Sequence, residues 1–338
     1  MLTRRQIAAL PISALGMGIA SEAVAQGLFI NPLEERQLGI QGHPQAILRD
    51  GGVYGKESVS RLIRSLGQEA ANSVARHPDQ FVITTLNNSS FNAYARLGGF
   101  LYVHAGIIPW LNDEAELMAL LGHECGHAVN RHMARSIARQ NVSERLVKLS
   151  ALRRGQTAQG VKENQVEAWL AIKKYGRDQE FQADDVAMLA VARTGRDPEG
   201  TVRLLRKLMQ WNDLHRKLNP TAKEPDPYSA SHPPSVDRVA RSQQLLVQSG
   251  YKADTNTAFQ DRYYSAINGM VVPKSSLTLG RPYRVDVRTV KSGDTVASLA
   301  RQMALPALIK EDGFRMSNGL APDDTLTPGQ PVKVFTSI

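Results

Sequence analysis

His123-Glu124-Cys125-Gly126-His127 sets two imidazoles and a carboxylate within five residues. In an α-helix, positions i and i+4 share a face roughly 6 Å apart along the axis, close enough to hold one metal ion. Glu124 then stands beside that ion, where a carboxylate can take a proton from water acidified by the metal and pass it to a leaving amine. The flanking sequence is helical. Asp113 with Glu116 makes a capping box, and Leu117, Leu120, Leu121 and Val129 recur at helical spacing, which predicts a helix from about Asp113 to Arg139. The pattern implies metal-assisted hydrolysis of a peptide bond.

A hydrolytic zinc takes three protein ligands and keeps one position for water, so a third ligand is expected downstream. Glu180-Phe181-Gln182-Ala183-Asp184 supplies one. Apolar residues from Val166 to Val191 repeat with helical period and Gly195 follows, predicting a helix over Gln165 to Ala192. Glu180 and Asp184 then share a face. Glu180 would bind one zinc per chain, and Asp184 would accept the second N–H of His123 or His127, fixing its tautomer. A metzincin is excluded, because Asn130 and Met133 stand where its glycine and third histidine belong. His132 falls at the wrong helical angle for a ligand and reads as a locally hydrogen-bonded histidine.

Short runs ahead of the zinc helix, Phe81 to Leu86, Phe91 to Ala95 and Phe100 to Val103, read as a small sheet. Gly98 and Gly99, with Phe100 after them, would let a substrate backbone approach closely and add as a strand over the metal. A plain glycine turn between strands fits the same residues. His232 precedes two prolines, so its backbone is restricted. Two roles are open to it: stabilising the oxyanion, or filling the fourth zinc position and holding the site latent. Arg238 would pair with Asp184 or with the oxyanion, or lie on the surface.

Four stretches together resemble a known family: His123-Glu124-x-x-His127, Glu180-x-x-Ala183-Asp184, Asn92 to Val103, and Ser231-His232-Pro233-Pro234 with Arg238. They are similar, in order and over roughly residues 35–270, to the CAAX-protease/HtpX/Oma/BepA zinc metallopeptidases, metallopeptidase family 48. Leu97, Gly176 and Asp185 depart from the family's usual proline, serine and arginine. The resemblance implies an α+β, mostly helical gluzincin-type domain with a small β-sheet. It also implies a zinc endopeptidase acting in quality control of envelope proteins, with His232 entering the active site. The alternative class is a peptidoglycan-binding scaffold or chaperone with a non-catalytic zinc site. Glu124 argues against it, since a structural site needs no general base.

Met1 to Arg5 is basic, Ile7 to Ala20 mostly apolar, and Ala23-Val24-Ala25 ends in an A-x-A site. Residues 1–25 therefore read as a twin-arginine-like export signal cleaved near Ala25, which predicts a periplasmic protein. The catalytic domain is expected over 26–270 and a linker over 271–282. Over 283–338, Val290-Lys291-x-Gly293-Asp294-Thr295, Asn318-Gly319-Leu320 and Leu326-x-Pro328-Gly329-Gln330 resemble a LysM module with a βααβ order. The resemblance implies peptidoglycan as its ligand, and a structural cap is the other reading. The 338 residues carry a net charge of +9 spread along helices, compatible with anionic polymers or a membrane surface, while export speaks against nucleic acid. Cys125, the sole cysteine, allows no internal disulfide and is rotated off the ligand face.

Overall fold

A computed structural model of the chain describes residues 30–139, 158–221, 229, 231–250, 258–275 and 280–338, with the backbone alone over 158–175 and at 258 and 275. The expected export signal lies outside the described residues. Among those described, no helix is long and apolar enough to cross a membrane.

Helix α1 (Pro32–Arg49) starts at Asn31, whose side chain accepts the N–H of Glu34 at 2.9 Å. Helix α2 (Glu57–Val74) is strongly amphipathic and buries Val59, Ile63, Leu66 and Ala70. Strands β1 (Val82–Leu86), β2 (Ala93–Arg96) and β3 (Phe100–His104) form a sheet in the order β1-β3-β2. The central strand β3, buried at every residue, pairs parallel to β1 and antiparallel to β2. That order leaves β2 at an edge.

Helix α3 (Glu114–Val129) carries both zinc-motif histidines and is buried continuously from Glu114 to Gly126. Asp113 caps it by accepting the N–H of Glu116 at 2.8 Å, while the Glu116 carboxylate takes the N–H of Asn112 at 3.0 Å. The helix expected to run to Arg139 breaks at Asn130 and Arg131. Asn130 turns its side-chain amide onto the Gly126 carbonyl at 2.9 Å, and Arg131 adopts a left-handed backbone with φ 53°. Such a conformation costs a residue with a Cβ about 1–2 kcal/mol, so something nearby must hold it. The Arg131 guanidinium meets Glu35 at 2.7 Å and also donates to the Ile30 carbonyl. The chain is helical again over 132–139.

Helix α4 (Ala158–Arg193) begins before the expected Gln165 and crosses α3 at close range. A Cβ on Gly126 would lie 2.8 Å from the Ala183 Cα, and one on Gly122 would lie 2.9 Å from the Ala190 Cβ. Small residues in and beside both motifs thus set the distance between the two motif-bearing helices. Helices α5 (Glu199–Leu218), α6 (Val236–Gln248) and α7 (Ala258–Ile267) complete the domain.

A second antiparallel sheet holds β4 (Val271–Ser275), β5 (Arg281–Thr289) and β6 (Pro331–Ser337) in that order. Helices α8 (Val296–Ala300) and α9 (Lys310–Asn318) lie between β5 and β6 in sequence, and Thr295 with Ser298 forms a full capping box for α8. Residues 271–275, expected in a linker, are instead a strand of this sheet. Val272 is buried there and the Val271 carbonyl accepts the Tyr54 hydroxyl at 2.8 Å, contacts that no local polarity pattern reports.

The module docks on the helical domain rather than hanging from it. Phe335 meets Trp110 edge-on with ring centroids 5.2 Å apart. The fully buried Lys333 ammonium donates to the Leu111 carbonyl and to Asn112 Oδ1 at 3.1 Å, beside the start of α3. Lys207 of α5 joins Glu116 at 3.2 Å to the Met316 carbonyl at 3.0 Å. Buried polar groups of this kind persist only when each is satisfied, and here each lysine finds acceptors across the junction.

Candidate metal centre

The α3–α4 crossing brings four side chains together. His123, His127, Glu180 and His232 each offer a ligand atom, and these atoms lie within 4.8 Å of one another. His123 Nε2 is 3.0 Å from His127 Nε2 and 3.5 Å from Glu180 Oε2, and His127 Nε2 is 3.4 Å from Glu180 Oε1. His232 Nδ1 lies 3.2 Å from both His123 Nε2 and Glu180 Oε2. Tetrahedral bonds of about 2.0–2.2 Å place ligand atoms about 3.3–3.6 Å apart, which these separations approach.

The donor chemistry fits a cation as well as the spacing does. His123 Nδ1 donates to Asp184 Oδ1 at 3.0 Å, and the Nδ1 of His127 faces His132 Nδ1 at 2.9 Å. With protons committed to those outer nitrogens, the two Nε2 atoms would be left to offer lone pairs to a divalent cation. With no cation there, burial alone would depress the His123 pKa, but Asp184 and Glu180 outweigh it and raise it to about 9. Burial takes His127 the other way, to about 3, despite its contact with Glu180. A metal held by His123 would therefore displace a proton from it. Apparent zinc affinity is expected to rise about tenfold per pH unit below pH 9 and to level off above it, measured by competition with a chelator of known pH dependence.

Arg238 is buried, not superficial. Its guanidinium grips Asp184 through two bonds of 2.8 and 2.7 Å and reaches Glu180 Oε2 at 3.0 Å. Burial would raise the Asp184 pKa, yet this pairing keeps it below the usual carboxylate range, so the carboxylate stays ionised against His123. Removing either partner would leave the other buried charge to its remaining contacts, Glu180 for Arg238 or His123 for Asp184, and would lower stability. Ser235 caps α6 by accepting the Arg238 N–H at 3.2 Å, which fixes Arg238 in the first turn of the helix, a few residues after His232. Glu124 is fully buried, and neither of its carboxylate oxygens has a hydrogen-bond partner among the described residues. Its Oε1 lies 3.7 Å from His232 Nε2.

A cavity of about 980 Å³ opens onto these groups, lined by Tyr94, Ala95 and Arg96 of the edge strand as well as by Glu124, His127 and His232. Gly98, Gly99 and Phe100, expected at the substrate, are not part of its wall. A Cβ on Gly98 would lie 2.9 Å from the Arg36 Cα, and one on Gly99 would lie 3.1 Å from the Gln80 carbonyl, so protein backbone already takes the approach they permit. Phe100 is buried with Ala46, Leu86 and Tyr102.

Comparison with known proteins carries the family resemblance from motifs to most of the domain. The model for peptidase family M48 matches residues 57–245, more than half of the chain. The chain belongs to peptidase family M48. M48 peptidases use zinc, and the four-residue donor cluster is where this member can hold it. The LysM domain model matches residues 289–335, within the docked module.

This M48 chain is 28% identical over 163 residues to a beta-barrel assembly-enhancing protease of Yersinia pestis, covering 44% of this chain and 32% of that one. It is 24% identical over 172 residues to the mitochondrial metalloendopeptidase OMA1 of Schizosaccharomyces pombe, covering 51% and 48%. With the metalloprotease YcaL of Escherichia coli it shares 26% identity over 194 residues, covering 55% and 67%. The chain spans about a third of the length of the beta-barrel assembly-enhancing proteases it matches.

Proposed function

We propose that the chain is a zinc-dependent endopeptidase with His123, His127 and Glu180 as ligands and Glu124 as general base. The observation that carries this reading is Glu124, a carboxylate buried beside the donor cluster whose oxygens have no hydrogen-bond partner among the described residues. A site that only bound metal would leave such a group costly and unexplained. Zinc, when bound, acidifies water and polarises the scissile carbonyl. Glu124 takes the water proton and delivers it to the leaving amine, Asp184 and Arg238 hold His123 and Glu180 in place, and the edge of β2 pairs with an extended substrate. The purified chain is expected to cleave unfolded casein, to stop when a chelator removes the metal, and to resume when zinc is restored. Cleavage that survives chelation would overturn the reading.

Names of relatives and the LysM match support a more specific role, proteolytic quality control of envelope proteins by a periplasmic enzyme. Peptidoglycan is the expected ligand of the module. Comparing envelope proteomes of cells bearing active and Glu124→Gln protein would identify the substrates.

His232 sits at ligand spacing, so four protein groups close around the centre in this conformation. Closed sites are typical of structural zinc, whereas hydrolytic sites keep a position open. This favours His232 as a latch on a resting enzyme. If about nine-tenths of the protein rests latched, His232→Ala raises kcat/KM about tenfold. Steady-state kinetics with a quenched peptide reads this. A fall in kcat of about 10²- to 10³-fold with unchanged zinc content would instead assign the residue to the oxyanion.

A further inference from the structure

We propose that His132 is a positioning residue for the metal centre, accepting the Nδ1–H of His127 and so holding that ligand's Nε2 lone pair on the cation. The proposal rests on the zinc reading above. His127 turns Nε2 toward His123 and Glu180, which leaves its proton on Nδ1. The nearest group to that N–H is His132 Nδ1 at 2.9 Å. On its far side, His132 Nε2 lies 3.1 Å from Gln182 Oε1, an oxygen that can only accept. His132 therefore carries its proton on Nε2, and its Nδ1 is free to accept from His127. Donors and acceptors run in one direction from His127 through His132 to Gln182.

The fold around this chain of bonds is built to hold it. His132 is buried, and Gln179 donates to its carbonyl at 3.2 Å. Gln179 and Gln182 flank Glu180 on α4, so one helix supplies a ligand and the supports of its neighbour. On an unbroken helix His132 would be rotated about 140° from His127 and face away from it. The left-handed Arg131, anchored on Glu35 and the Ile30 carbonyl, redirects the backbone and returns the ring to the ligand. Each zinc-motif histidine thus has its own acceptor: the Asp184 carboxylate for His123 and a neutral imidazole for His127.

The test uses the full chain and a chromogenic chelator competing for zinc, with His132→Leu, His132→Asn and His132→Gln compared with wild type. Asparagine Oδ1 falls near the lost Nδ1 and restores an acceptor, whereas leucine offers none and glutamine places its oxygen one bond too far. Leu and Gln variants should lose about 10- to 100-fold in zinc affinity while Asn stays within about threefold of wild type. Metal-free Leu and Asn variants should melt at the same temperature. Wild-type affinity in the Leu variant, or equal losses in Leu and Asn, overturns the proposal. So does a metal-free Leu variant that melts well below the Asn variant, since the role would then be structural. Absence of zinc from the wild-type protein would overturn the metal site itself, and this proposal with it.

Discussion

Glu124→Gln is expected to keep one zinc per chain and to lose about 10²- to 10⁴-fold in kcat, the range over which general bases contribute. The change is nearly isosteric, so the fully buried position should tolerate it. Glutamine cannot accept the water proton or pass it on. Glu124 lies outside the four-residue donor group, so metal content should not follow activity. Zinc analysis alongside kinetics on a quenched peptide separates the two quantities. A variant with wild-type kcat would mean that another group moves the proton, and the mechanism would fall.

Glu180→Ala should weaken zinc binding by more than the 10- to 100-fold expected of Asp184→Asn, because it removes a ligand rather than a ligand's support. The structure refines this expectation through His232, whose Nδ1 lies close enough to act as a replacement donor. Glu180→Ala should therefore retain some metal in excess zinc, and Glu180→Ala with His232→Ala should retain almost none. Titration from limiting to excess zinc checks the series. Equal zinc content in wild type and Glu180→Ala would place the third ligand elsewhere. Asp184→Asn carries a second effect, since Arg238 would keep its charge with only Glu180 to meet it, and thermal stability should fall as well.

Much of the candidate centre's geometry was legible from spacing alone. The i, i+4 rule puts His123 with His127 and Glu180 with Asp184, and the apolar period marks both segments as helical, although the first ends earlier and the second starts earlier than expected. Those signals are local, governed by backbone geometry over a few residues, and a linear sequence carries them intact. LysM-like elements were legible for the same reason, through turn residues at fixed offsets.

What tertiary structure alone decided is how separate segments meet. Gly126 against Ala183 sets the approach of the two motif helices, although each reads in isolation only as a small residue. Arg131 breaks helix α3 because Glu35, 96 residues earlier, holds its side chain, and that break turns His132 from a misplaced histidine into the neighbour of His127. Gly98 and Gly99 suggested room for substrate, but helix α1 and the Gln80 carbonyl occupy it, and the cavity wall falls to Tyr94, Ala95 and Arg96. Val271–Ser275 becomes a strand only because a partner strand and Tyr54 are there to pair with it. In each case the deciding energy comes from a contact between residues far apart in the chain, which local propensity does not encode.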